Sequence, residues 1–177
     1  MPVIPYTPID IQDPRELVAS IRSRRGGALL NLDRMLLHSP AFATGWNGFL
    51  GTVRNDLNLP PKLRELAICI VAILNRAEYE LIQHSPEFLK AGGTRAQLDA
   101  LQRISSSTRQ SSLFDTTELA VIQLSIEMTQ SVQVSEATMH TVKAELKSDQ
   151  NLVELIGVIA TYNMVSRYLV ALGIEPE

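Results

Sequence analysis

A chain of 177 residues with a net charge of −3 is long enough for one domain with a full core and short for two. Mixed charge without a basic stripe excludes a nucleic-acid surface, and 5% aromatic content with many Leu, Ile and Ala points to helices. One cysteine, Cys69, excludes an intramolecular disulfide and fits a reducing compartment.

Helix punctuation can be followed in chain order. The opening Met1-Pro2-Val3-Ile4-Pro5-Tyr6 has no basic or apolar signal region, which predicts no secretory leader. Asp13-Pro14-Arg15-Glu16 reads as a capping box with proline at the first helical position, and Gly26-Gly27 as a stop. A second helix is expected over about 28–37, ending at His38-Ser39-Pro40, with His38 interacting with that helix end. A third follows from Pro40 to Asp56, carrying Trp46, Phe49 and Leu50 on one stripe for core packing, a subunit interface or a substrate pocket.

Pro60-Pro61 starts an apolar helix to about Leu74, with Glu65 in its first turn, where the helix dipole favours a carboxylate. Leu66 to Leu74 carries no polar side chain other than the Cys69 thiol, so this helix should be buried nearly all round and needs cover on every side, partner subunits being one source. Asn75-Arg76 allows a break before Ala77-Glu78-Tyr79-Glu80-Leu81-Ile82-Gln83-His84, whose helix Gly92-Gly93 closes. Thr94-Arg95-Ala96-Gln97 is a further capping box, for a helix to about Arg103, and serine-rich 105–112 reads as an exposed loop.

Asp115 to Glu118 caps a helix with Leu119, Ile122 and Ile126 on one stripe, Ser135 caps another, and Ser148 begins a long last helix over about 149–172, stopped by Gly173. No stretch alternates with period two, so the fold class is all-α, a single-domain helical bundle. Residues 1–34 read as an N-terminal extension packing on a domain over 35–177. The longest apolar runs are about half a membrane span, so the chain reads as soluble and cytoplasmic.

The chemistry concentrates in Glu65, Glu80 and His84. Glu80 and His84 are four apart and share a helix face, and Glu65 lies nineteen residues before His84, able to face it across a helix pair. A carboxylate–imidazole pair in a cleft of low dielectric is a proton-transfer device. Tyr79, Tyr162, Asn163 and Arg167 are candidates for substrate contact, with Arg167 or Asn163 able to hold the carboxylate of Glu65 or of a ligand. His140 reads as solvated, and Cys69 as a small core residue. Three scattered histidines give no metal site, so none is expected.

Leu59-Pro60-Pro61-Lys62-Leu63-Arg64-Glu65, the apolar run, Glu78-Tyr79-Glu80-x-x-x-His84 and the closing Gly92-Gly93 together resemble the carboxymuconolactone decarboxylase-like superfamily. That superfamily also contains the alkyl hydroperoxidase D-type enzymes. The C-terminal Tyr162-Asn163-x-x-x-Arg167 before Leu172-Gly173 is similar to its longer members. Peroxidatic members carry Cys-x-x-Cys-x-x-x-His, and the positions matching those cysteines are Ala77 and Glu80 here. Glu65 and His84 match the relay glutamate and histidine, so the resemblance implies a relay without thiols. It further implies an all-α fold, no cofactor, and homo-oligomers, trimers or hexamers. The expected activity is that of a cofactor-free acid–base lyase acting on a small carboxylated or lactone-type metabolite. His84 would be the acid/base, Glu65 its orienting partner and Glu80 a second acid/base. The alternative is a binding or structural protein on the same fold, and a thiol peroxidase ranks below both.

Overall fold

The structure, a computed structural model, describes residues 1–103 and 111–177, and among these residues all regular structure is helical. The expected serine-rich loop over 105–112 falls mostly on 104–110, outside the described residues. Two compact units divide the chain: Met1–Leu57 with Leu169–Glu177, and Asn58–Tyr168. The division does not follow the 34/35 boundary drawn from the sequence.

The first unit holds α1 (Arg15–Arg24), α2 (Asn31–Leu36) and α3 (Pro40–Asn55). Pro14 is extended (φ −69°, ψ 127°), so α1 begins at Arg15, one residue later than the expected capping box, and no side chain caps it. Val18, Ile21, Leu29 and Leu37 form its buried cluster. Asp33, 2% exposed, is held by Arg24 and Arg25 and accepts the Leu30 N–H at 3.1 Å, which caps α2. His38 does not serve the end of α2: its Nε2 contacts the Pro5 carbonyl at 2.8 Å, tying the N-terminal segment down.

The second unit contains α4 (Pro61–Leu74), α5 (Glu78–Lys90), α6 (Arg95–Leu101), α7 (Thr116–Gln130), α8 (Glu136–Leu146) and most of α9 (Asp149–Leu172). Every residue from Glu65 to Ala72 is buried, as expected for a helix that is apolar on all sides. Cover comes from within the same chain, because α5, α6 and α7 pack on α4. Burying a side chain the size of Ile68 or Leu66 stabilises by about 1.5–3 kcal/mol, so α4 is the main apolar anchor of this unit. On α7 the deepest side chains are Val121, Leu124 and Ser125 rather than the expected Leu119 and Ile126, which are half-buried. By length and composition α9 is apolar enough to cross a membrane, with mean hydropathy 1.4, but half of that window is buried inside the fold.

The ends of α4 and α5 are closed in the same way. In each, the third residue past the helix donates its N–H back to the sixth residue before it, counted inclusively: Ala77 to the Ala72 carbonyl at 2.8 Å and Gly93 to the Phe88 carbonyl at 2.9 Å. The residue just before that donor must take a left-handed conformation. At α5 that residue is Gly92 (φ 99°), whereas at α4 it is Arg76 (φ 55°), where a Cβ costs about 1 kcal/mol relative to glycine.

The α7–α8 junction is fastened by Glu127, whose carboxylate accepts the Ser135 N–H at 2.8 Å and the Thr138 hydroxyl at 2.6 Å. The Thr138 hydrogen bond leads the causes that take its pKa down to about 2 from an ordinary 4.5. A carboxylate depressed on folding stabilises the fold above its unfolded pKa and loses that contribution as pH falls through the folded value. Glu127→Gln is therefore expected to cost about 1 kcal/mol near neutrality. Urea titrations of both proteins should converge between pH 4.5 and 2, and a constant gap across that range would refute this role.

Candidate active site

Glu65 and His84 meet across the antiparallel α4–α5 pair. Counting from Pro61, Glu65 is the fifth residue of α4, so it lies in the second turn rather than the first. The dipole at the helix start is thus a poor reason for its presence, since that effect fades within one turn. His84 Nδ1 donates to Glu65 Oε2 at 2.7 Å, with both residues buried. Arg64 Nε donates to the other oxygen, Oε1, at 3.1 Å.

Burial by itself pushes the Glu65 carboxyl up, but the hydrogen bond and charge of His84, with Arg64 behind them, bring it below the usual carboxylate range. Glu65 is therefore the anion of the pair. An ionised carboxylate only accepts, so Nδ1 carries the proton in this contact and Nε2 is left as the atom that gains or loses one. The imidazole and the Tyr162 ring also meet edge to face, with centroids 4.9 Å apart and planes at 85°. That contact fixes the ring plane.

Glu80, one turn before His84 and 2% exposed, accepts the Ser166 hydroxyl on Oε1 at 2.9 Å. Two carboxylates thus serve one buried region, Glu65 on the imidazole and Glu80 on a serine of α9. Tyr79 is buried beside Glu80 at 5% exposure. Trp46 is buried in the first unit, its ring 5.7 Å from that of Phe42, while Phe49 on the same helix is half exposed.

Two expectations are corrected here. Asn163 and Arg167 do not hold the carboxylate of Glu65. Arg167 donates to the Asn163 backbone and side-chain oxygens at 2.9 and 2.6 Å. Asn163 donates to Thr129 and accepts from Asn75, each at about 3 Å, which knits α9 to α7 and to the end of α4. Asn75 is ten residues beyond Glu65, about 15 Å along the helix. Adjacent helix positions project about 100° apart, so Tyr162 and Ser166 face the relay while Asn163 and Arg167 are turned away from it. Sequence reasoning missed Arg64 and Ser166 as site residues. Arg64 adjoins Glu65 in the chain, and Ser166 is four residues from Tyr162, the only signals that could have found them.

Cys69, one turn after Glu65, is fully buried, and burial together with Glu65 and Glu80 pushes its thiol well above the ordinary range. Alkylation of the folded protein at pH 8 is expected to be slow until denaturant is added. Fast labelling of native protein would contradict this placement. His140 is exposed on α8, as expected. Among the described residues, no cluster of three or more His, Cys, Asp or Glu is placed to hold a metal ion.

The fold is all-helical and carries a buried glutamate–histidine pair across one helix hairpin, with Ala77 and Glu80 seven and four residues ahead of the histidine. Residues 40–120 match the carboxymuconolactone decarboxylase family, a segment that contains Glu65, Glu80 and His84 but ends before Tyr162 and Ser166.

Solved structures with this fold include a peroxidase-related protein from Silicibacter sp. TM1040, at TM-score 0.80 and 17% identity, covering 99% of this chain and 94% of that one. An alkylhydroperoxidase AhpD core protein from Ralstonia eutropha JMP134 superposes at TM-score 0.76 and 14% identity, over 94% and 86% of the two chains. The debrominase Bmp8 in complex with 2,3,4-tribromopyrrole does so at 0.77 and 17%, over 100% and 94%. At these identities the likeness is one of fold. No curated protein matches the chain.

Proposed function

We propose that this protein is a cofactor-free acid–base enzyme, a lyase of the decarboxylase type acting on a small carboxylated or lactone-type metabolite. The observation that carries the reading is the 2.7 Å contact between His84 Nδ1 and an ionised Glu65 inside the fold. Loss of CO2 leaves an electron pair on carbon that must be delocalised and then protonated. A His84 imidazolium supplies that proton from Nε2, and Glu65 stabilises the cation while holding the ring. Glu80, positioned by Ser166, is the second acid/base, on the same helix face one turn away. Tyr79 and Tyr162 remain proposed substrate contacts.

Thiol chemistry fits poorly, because Cys69 lies outside both motif positions and its thiol is held protonated. A fold relative crystallised with tribromopyrrole supports a small-molecule site more than a purely structural role. The rival reading, a binding or structural protein that retains the fold, draws on the missing cysteine pair.

The proposed assembly is a homo-oligomer, trimer or hexamer, in the cytoplasm. Phe42 and Phe49 on α3 and Val153 on α9 are exposed apolar side chains that a second copy would cover. Light scattering at micromolar concentration tests this, and a monomer would remove it. The activity is tested by screening small carboxylic acids and lactones for CO2 release and for deuterium uptake from heavy water. Neither signal across the panel, with no ligand raising the melting temperature, would favour the structural reading.

A further inference from the structure

At the turn that joins α4 to α5 lies a cavity of about 340 Å³. Its floor is Ala72 and Ile73 from α4 with Ala77 and Leu81 from the start of α5, and Arg76 and Glu78 stand among its lining. None of Glu65, Glu80 and His84 lines it, so it is distinct from the buried relay. Ala77, Leu81 and His84 nevertheless share one stripe of α5, spaced by four and three, so the cavity floor runs toward the imidazole.

Arg76, like Val132 and Lys147, is a non-glycine residue with left-handed backbone past a helix end. Four helix ends among the described residues close with the paired hydrogen bonds of the α4 end, and their left-handed residues are Gly26, Arg76, Gly92 and Gly173. Three take the residue that backbone sterics favour. The fourth places a guanidinium at the cavity wall, and among the described residues neither Arg76 nor Glu78 makes a side-chain hydrogen bond or ion pair. A planar, permanently charged fork beside an apolar floor suits a carboxylate attached to an apolar body. At about 30 Å³ per water the space equals roughly ten waters, the size of a ligand with about as many non-hydrogen atoms.

We propose that Arg76 binds the carboxylate of a small, largely apolar acid whose body occupies this cavity. The inference goes beyond the acid–base reading and does not rest on it, because the cavity is lined by none of the three relay residues.

Benzoate and sorbate, with benzamide as the neutral control, are the probes, followed by calorimetry on the full chain. Wild type should bind the two acids and not benzamide. Arg76→Gly should weaken them at least tenfold while melting at or above the wild-type temperature, since glycine suits that backbone, so lost binding cannot be ascribed to lost fold. Glu78→Gln removes a like charge and should tighten benzoate. Equal affinity for benzoate in Arg76→Gly, no preference of wild type for acids over benzamide, or weaker benzoate binding in Glu78→Gln would each overturn the assignment. His84→Gln separates the two claims: it should bind benzoate like wild type, whatever becomes of turnover.

Discussion

His84→Gln is expected to lower kcat by about 10²–10⁴, the range for removing a positioned acid/base, which is about 3–5 kcal/mol of transition-state stabilisation. Glutamine fills much of the space of the imidazole and can still donate to Glu65 Oε2, so the packing against Tyr162 is largely kept and the loss reports proton transfer. The effect belongs in kcat rather than KM, because Nε2 acts on charge that develops only in the transition state. Glu65→Gln should follow in the same direction. A neutral amide can donate to Nδ1 and so stabilise the wrong tautomer, and it cannot support an imidazolium. Cys69→Ser should leave the rate largely intact. An unchanged rate in His84→Gln, measured on any substrate that wild type turns over, would end the assignment.

Phe88→Ala is expected to produce the largest loss of stability, about 3–5 kcal/mol. Phe88 is wholly buried one turn after His84 on α5, and its ring occupies the space that a Cβ on Gly93 would need. Its carbonyl also accepts the Gly93 N–H that closes the helix. Truncation opens a cavity under the turn that fixes the end of α5, so the helix presenting His84 loses its C-terminal anchor. For a chain of this size the melting temperature should fall by roughly 6–20 °C at 2–4 °C per kcal/mol. The opposite change, Gly93→Ala, drives a methyl into a ring with no room to retreat and should cost about 1–3 kcal/mol. A loss under 1 kcal/mol in Phe88→Ala, by urea unfolding, would show that the ring does not anchor this turn.

Most helix boundaries are legible in the amino-acid sequence, because capping and stop signals act over a few residues. Thr94 with Gln97 and Asp115 with Glu118 form the reciprocal caps that their spacing predicts, and Gly92 and Gly173 take the left-handed conformations expected of stops. The all-α class follows from the same local physics, as does the burial of α4, since a helix apolar on every side has only one stable environment. The pairing of Glu65 with His84 is legible for a different reason: a nineteen-residue separation across one tight break fits a helical hairpin, and the family resemblance names both residues. Asp13 misleads because the backbone at Pro14 stays extended, a choice made by the chain around it rather than by the capping residues.

Only the tertiary structure could decide which partners the polar side chains take. Arg64, not Arg167, serves Glu65, and Ser166, eighty-six residues from Glu80, completes the second carboxylate. On α9, Tyr162 and Asn163 are adjacent in sequence yet diverge by about 100° around the axis, so one borders the relay and the other ties helices together. The rotation of a helix about its own axis and the chain segments set against it arise from packing of the whole unit. A local window of sequence carries the period of a helix but not the direction in which its stripe points.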